Sequence, residues 1–390
     1  MDQVEEVKSK VDLVEVISSY LPLKKMGRNM GGLCPFHAEK TASFMISPER
    51  QVWKCFGCSL GGDVFTFLEK IEGWDFREAL EELAKRVGVK LKQFEPTDKS
   101  RVRDKLIEIN KLTTKFYSHL LFNHPAGERA RKYLAGRGIK KETWEKFKLG
   151  YSPDSWDTLF KFLIKHKIPT ADVAMSGLAI ARSGSDRSFY DRFRDRLIFP
   201  ISDSRGQVMG FSGRVLDANA REAKYVNTSE TPLFVKGSLL FGLDIARSAI
   251  RDSNEAVLVE GEFDVLSAHQ AGVENVIASK GTALTERQVA MLSRLSESVV
   301  LCFDKDVAGD NAARRGIELL DMAGVSVKVA DLGGAKDPDE FAQDNPKGFT
   351  AAIASASNIY DFLIDSAVKR FDPKEADGQK KIGREILPVL

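Results

Sequence analysis

Between residues 255 and 332 short apolar runs alternate with stretches of helical period, and that alternation limits the fold more than any other feature. AVLVE, VIAS, VVLCF and VKVADL have the length of strands. FDVLSAHQAG, ERQVAMLSRL and a stretch through IELLDMAG lie between them. Strands separated by helices pair in parallel, with helices covering the sheet. Open sheets of this kind place ligands at the carboxyl ends of their strands. Acids stand at those ends. Glu260 closes AVLVE and Asp264 opens the next helix; Asp304 and Asp306 follow VVLCF; Asp337 and Asp339 follow VKVADL in GGAKDPDEF.

Carboxylates gathered in one crevice repel unless a cation lies between them. Magnesium fits such a set, being a hard ion that takes oxygen ligands and keeps waters for phosphates. Two or more such ions, with manganese as a substitute, can serve phosphoryl transfer. Asp304 and Asp306 are expected to be direct metal ligands. Asp264, Asp337 and Asp339 are expected to share a second metal or its water shell, and Glu260 to be a ligand or an acid/base group. Any one of these acids could equally be a helix cap, Asp264 and Asp306 above all. Three strand ends together favour the metal.

A second constellation is Cys34-Pro-Phe-His37, followed by Cys55-Phe-Gly-Cys58. Paired ligands two residues apart bind a tetrahedral zinc from two knuckles, and four protein ligands make one closed, structural site. Gly57 is expected to serve a tight turn. Three of the four cysteines of the 390 residues lie here, which favours a reducing compartment and a metal over a disulfide scaffold. Lys24, Lys25, Arg28, Lys40, Arg50 and Lys54 are interleaved with Phe36, Phe44, Trp53 and Phe56. Cations beside aromatics suit single-stranded nucleic acid. The same aromatics could be the core of a small ribbon. Phe36 and Phe44 are expected there, and Trp53 fits either place.

The hydrophobic content of 43% and charged content of 29% are ordinary for a globular chain of two to four domains. The formal net charge of +2 does not announce a nucleic-acid binder, so any basic face must be local. The N-terminus lacks a signal peptide's apolar core, and no run approaches a membrane span. Residues 4–20 read as an amphipathic helix, residues 26–62 as a small antiparallel sheet. Asp63 and Asp75 each offer an N-cap, and the second helix stops at Gly88. Residues 92–103 are polar and aperiodic, a domain boundary. Residues 104–165 read as mainly helical, and residues 347–390 return to helix. GREILPVL ends inside an apolar periodic stretch, as expected of a fragment of a longer protein.

From 189 to 242 strand-like pieces such as RLIFPIS and QVMGFSG appear. If RFRDRLIFP is a strand, Arg192, Arg194 and Arg196 share one face and could hold a template backbone or a triphosphate. Arg214, Lys224 and Lys236 are the stronger candidates; Arg205 and Arg221 lie in the same stretch. Asp191, Asp195, Asp203 and Asp217 partly offset these charges as ordinary surface pairs.

At these residues the sequence resembles the bacterial DnaG-type primases. GLCPFHAEKTASF and WKCFGCSLGGDVFTF are similar to that family's zinc-binding domain. RDRLIFPISDSRGQVMGFSGRVL and KYVNTSETPLFVKGSLLFGL look like its polymerase core. LVEGEFDVLSAHQAG, SKGTALTERQ, FDKDVAGDNAARR and KDPDEF resemble its Toprim subdomain. The resemblance implies a multidomain α/β protein: a zinc ribbon over residues 1–95, the N-terminal lobe of an α+β core over 104–245, a Toprim parallel sheet over 246–345, and a helical C-terminal part over 346–390. It implies de novo synthesis of RNA primers from ribonucleoside triphosphates on single-stranded DNA, leaving an RNA–DNA hybrid, in the cytoplasm at the replication fork. Glu260, Asp264, Asp304, Asp306, Asp337 and Asp339 match the family's metal positions, with Glu260, Asp304 and Asp306 catalytic. Cys34, His37, Cys55 and Cys58 match its zinc ligands. Arg137, Arg214, Lys224, Tyr225, Asn227 and Lys236 match its template and nucleotide cleft. The replicative helicase is the implied partner, through a domain lying beyond these residues.

Two positions depart from the family. Lys305 stands between the paired aspartates, where glycine is usual, and Glu262 stands where an aromatic is common. The competing readings are a Toprim topoisomerase, a Toprim nuclease and a non-catalytic zinc-dependent binder of single-stranded DNA. A topoisomerase needs a nucleophilic tyrosine, and nothing marks Tyr151, Tyr190 or Tyr225 as activated.

Overall fold

The computed structural model describes residues 3–386 other than 38, 40, 73, 75, 92–97, 183–187, 218–221, 281–283 and 304–310, with the backbone alone at 99, 311–314, 363, 365, 366, 369 and 385. Asp75, Arg221, Lys40, Asp304, Lys305 and Asp306 lie outside the described residues. The chain divides into two compact units, one centred on residues 1–96 and the other on 97–390.

The first unit opens with α1 (Gln3–Lys10) and α2 (Leu13–Ser18). The single helix expected over 4–20 is therefore broken. Asp12 breaks it: its backbone is extended, and its carboxylate accepts the amide of Val14 as the cap of α2. Val7, Leu13, Val16 and Ile17 are buried from the two pieces. Five strands follow, β1 (Lys24–Met26), β2 (Asn29–Gly32), β3 (Phe44–Ser47), β4 (Val52–Cys55) and β5 (Gly61–Gly62), in sequential antiparallel order. α3 (Val64–Glu72) and α4 (Phe76–Arg86) pack on them. Asp63 caps α3 as expected, accepting the Thr66 amide at 3.1 Å. α4 ends where the pattern stops: Gly88 takes φ +69°, and the Val89 amide closes back on the Ala84 carbonyl.

Alternation along β3 and β4 turns Phe44, Ile46, Trp53 and Cys55 inward. Phe36, Phe44, Trp53 and Phe67 form one aromatic cluster, with ring centroids 5.1–6.4 Å apart. Trp53 thus belongs to the core, and its indole NH donates to the Asp63 carbonyl. Phe56 faces outward at 69% exposure, with Lys54 over its ring.

The second unit begins with α5 (Asp98–Asn123). Residues 98–103, expected to be aperiodic, are its first turns, with Asp98 and Arg101 exposed. α6 (Glu128–Gly136), α7 (Lys141–Lys146), β6 (Gly150–Ser152), α8 (Thr158–Lys165) and α9 (Thr170–Met175) follow, then a two-stranded ribbon of β7 (Ala179–Ala181) and β8 (Phe189–Asp191). β9 (Arg196–Ser202), β10 (Val208–Val215) and β11 (Tyr225–Asn227) join β6 in a second antiparallel sheet of order β11-β10-β9-β6.

α10 (Leu243–Ser253) leads into the alternating segment: β12 (Glu255–Val259), α11 (Glu262–Gln270), β13 (Val276–Ala278), α12 (Glu286–Leu292), β14 (Ser298–Leu301), α13 (Asn311–Met322) and β15 (Ser326–Val329). The sheet order is β13-β12-β14-β15, all parallel. α14 (Pro338–Asp344) and α15 (Pro346–Ala354) precede β16 (Ser357–Asn358), which pairs antiparallel with β15 at the edge. α16 (Ile359–Arg370) and α17 (Ala376–Ile386) end the described chain. The antiparallel and parallel sheets of this unit share one hydrophobic core, with Phe199 of β9 against Phe241 and Phe263. Among the described residues no helix is long and apolar enough to cross a membrane.

Candidate functional sites: a zinc knuckle and an acidic cleft

In the first unit Cys34 and His37 approach Cys55 at the end of β4 and Cys58 just after it. The four ligand atoms all lie within 4.8 Å of one another. Cys34 Sγ is 3.8 Å from Cys58 Sγ, and Cys55 Sγ is 3.8 Å from His37 Nδ1. Three soft sulfurs and one imidazole nitrogen at such separations fit a structural zinc. Burial pushes the Cys55 thiol up, but hydrogen bonds from Ser43 and the Cys58 amide more than offset this and bring it to about 7. Burial pushes the Cys34 thiol upward. His37 turns Nε2 to Glu39 at 3.2 Å. Glu39 also accepts the amides of Cys34 and Ser43, so one carboxylate braces the first knuckle, and the Ser43 hydroxyl in turn lies 3.2 Å from Cys55 Sγ in the second. Gly57 lies in the expected turn and serves a second purpose as well. A Cβ there would lie 2.5 Å from His37 Nε2, so glycine makes room for the ring.

In the second unit a cavity of about 420 Å³ opens at the carboxyl ends of the parallel strands. Glu260 follows the last residue of β12, and Gly261 caps α11. Asp264 accepts the Gly261 amide through Oδ2 at 2.8 Å. Asp337 caps α14 by accepting the Glu340 amide at 2.8 Å. These three acids line the cavity, and for Asp264 and Asp337 the helix-capping residue and the cleft residue are one and the same.

Asp339 also lines it but is 4% exposed. One oxygen accepts from Arg137; the other accepts from Ser267 and Gln343. Arg137 lies over the Phe263 ring at 4.4 Å, and Arg214 lies over the same ring at 4.8 Å.

The opposite wall comes from β10 and β11. Their register pairs Arg214 with Tyr225 and Ser212 with Asn227. Alternate residues share a face, so all four turn into the cavity together, beside Lys224 and Lys236. Arg214 donates to the Tyr225 hydroxyl at 2.7 Å. Arg192, Arg194 and Arg196 are not among the lining residues, which corrects the one-face expectation. The strand starts only at Arg196, because Asp195 takes φ +45° and Phe193 is buried. Arg196 is itself buried, donating to the carbonyls of Gly213 and Ala223 and pairing with Glu222. Arg194 lies over Trp156 at 3.7 Å. Arg192 donates to the Asn227 carbonyl at 2.6 Å. Asp191, expected as a surface partner of these arginines, is instead buried and caps α8.

Sequence reasoning missed Lys280, which lies two residues beyond β13 and lines the cavity. The strand-end argument that found the acids applies equally to VIAS, but it was applied to carboxylates alone. Lys280 explains the departure at Glu262: the two form an ion pair of 3.1 Å, both almost fully enclosed. Burial pushes the Glu262 carboxyl up, and the Lys280 ammonium, the Ser212 hydroxyl and its own backbone amide together outweigh this, leaving it below the usual carboxylate range.

The fold and both sites define a zinc ribbon joined to a core with a Toprim-like sheet. Family profiles match in that order: a CHC2 zinc finger over residues 1–99, the N-terminal domain of the DNA primase catalytic core over 116–247, and a Toprim-like domain over 257–342. A DNA primase of Halalkalibacterium halodurans is 46% identical over 344 residues, 88% of this chain and 57% of that one. The crystal structure of the zinc-binding and RNA polymerase domains of Aquifex aeolicus primase is 34% identical, with a TM-score of 0.64, covering 100% of this chain and 93% of that one. A DnaG primase catalytic domain bound to single-stranded DNA is 31% identical, with a TM-score of 0.62, covering 74% of this chain and 90% of that one. The chain belongs to the bacterial DnaG-type primase family. It spans less than two thirds of the length of the curated relatives it matches, 57% and 64% in two cases.

Proposed function

We propose that this chain synthesises short RNA primers from ribonucleoside triphosphates on a single-stranded DNA template, a nucleotidyl transfer. The observation that carries the reading is the shared cavity, where Glu260, Asp264, Asp337 and Asp339 face Arg137, Arg214, Lys224 and Lys236 at a parallel sheet's carboxyl rim. The relative bound to single-stranded DNA supports the choice of template.

The all-oxygen donor set fits magnesium or manganese and not a softer ion. Glu260, Asp264 and Asp337, with Asp304 and Asp306, would hold such ions. When bound they would activate the attacking hydroxyl and stabilise charge on the leaving oxygen. Asp339 takes another part: it anchors Arg137 beside the cleft. Arg214, Lys224 and Lys236 would bind triphosphate or template phosphates, and Tyr225 and Asn227 would contact nucleotide or template between them.

The test is a single-stranded template with four ribonucleotides and magnesium. Short RNA made de novo is expected, and Asp304→Ala should abolish it while leaving template binding largely intact. Template cleavage would mean a nuclease, and retention without product a binding module; either overturns the reading. Synthesis unchanged in Asp304→Ala would refute the site assignment.

A further inference from the structure

Lys280 stands where the other strand ends of the cleft carry acids. Its backbone lies in the left-handed region at φ +69°, and its amide donates to the Glu260 carbonyl at 3.0 Å. A side chain in that region is strained, and such strain persists only where the surroundings over-determine it. The surroundings here are two partners, one at the start of helix α11 and one on the antiparallel sheet. Glu262, at the start of α11 just beyond the carboxyl end of β12, is 3.1 Å from the ammonium, with side-chain exposures of 8% for Lys280 and 4% for Glu262. Asn227, on β11 of the antiparallel sheet, accepts from the ammonium through Oδ1 at 2.9 Å.

The chemistry of that last contact fixes more than a distance. An ammonium has donors only. The amide of Asn227 must therefore turn its oxygen to Lys280, and its NH2 is the group left to offer the cavity that the residue lines. The backbone of Asn227 is fixed as well, by its register against Ser212 and by Arg192 on its carbonyl. Glu262 completes the chain of control. Without it Lys280 would be an unpaired buried cation, a state far costlier than the pair. The pair adds no net charge to the cleft, so it does not duplicate the phosphate-facing Lys224 and Lys236.

We propose that Glu262 and Lys280 are positioning residues that hold Asn227 as a hydrogen-bond donor toward an incoming nucleoside triphosphate. The identity of that ligand rests on the primase reading above.

The test measures equilibrium binding of a labelled ribonucleoside triphosphate, with magnesium, to the full chain. Primer synthesis and thermal unfolding are followed on the same preparations. K280M and N227A should each weaken nucleotide binding by about tenfold or more, the loss of one hydrogen bond to a charged ligand. The K280M/N227A double variant should bind no worse than N227A. E262M/K280M leaves no unpaired buried charge, so it should recover thermal stability lost in K280M but not nucleotide affinity.

Additive losses in K280M/N227A would overturn the proposal. So would full recovery of affinity in E262M/K280M, which a merely structural pair predicts, or a wild-type chain that binds no nucleotide. Non-additive losses without any primer synthesis would sink the primase reading and leave this inference standing. Primer synthesis with additive losses would do the reverse.

Discussion

Glu39 shows how a single carboxylate organises chemistry it does not perform. It meets His37 Nε2 and the amides of Cys34 and Ser43 at once. Removing its charge should loosen the imidazole's orientation and basicity. Glu39→Gln is expected to lower zinc affinity about 10- to 100-fold, measured by competition with a chromogenic chelator. An unchanged affinity would show that His37 needs no brace. The four zinc ligands were legible from spacing alone, because two short knuckles leave the chain little freedom in how they close. Glu39 was not, since nothing in its sequence separation marks it as a partner of a ring two residues away. Asp264 and Asp337 were read both as caps and as cleft acids, and they are both. Capping uses one oxygen, and the helix start is what carries the side chain to the strand end.

Among the secondary-structure elements, α8 shows where local reading stops. Asp157 holds the cap position next to it in sequence but makes no side-chain cap bond. Asp191, at the end of β8, accepts the Leu159 and Phe160 amides instead at 2.8 and 2.9 Å. Burial pushes the Asp191 carboxyl from 3.8 up to about 6, against the pull of those amides. The folded chain thus holds this proton more tightly than the unfolded one. The associated stability is fully present below about pH 4 and is lost as the pH rises through about 6, amounting to about 3 kcal/mol. Urea unfolding of the wild type should show that loss, and Asp191→Asn should flatten the slope. Parallel slopes in the two proteins would refute the assignment. The parallel strands were legible because both faces are covered and each reads as an apolar run. The arginine run was misread because period-two spacing cannot reveal that Asp195 turns left-handed in the middle of it.

Among the described residues there are two hydrophobic cores, one in each unit. The first is small, and its strands converge on the metal knuckles. Zinc binding and folding are therefore coupled there. Stripping zinc with a strong chelator is expected to lower the melting midpoint of residues 1–96 selectively. Hydrogen exchange in β9, β10 and β12–β15 should stay protected. Simultaneous loss of protection in both units would contradict independent cores. The boundary near residue 96 was readable because each unit carries its own periodicity and its own ligand chemistry. The pairing of Glu262 with Lys280 was not, because it depends on β12 and β13 lying side by side in the sheet, which brings together residues 18 apart in sequence.

The two margins of the parallel sheet are both occupied. β16 runs antiparallel along β15, and Phe241 bridges Ala278 of β13 through two backbone hydrogen bonds of 2.9 and 3.0 Å. Unpaired margins invite another chain to extend the sheet, which is how strand-rich proteins clump. With both sides stitched, another polypeptide gains little by adding itself as a further strand. Traffic with this sheet is thereby funnelled to the ends of its strands, where the acids and Lys280 wait.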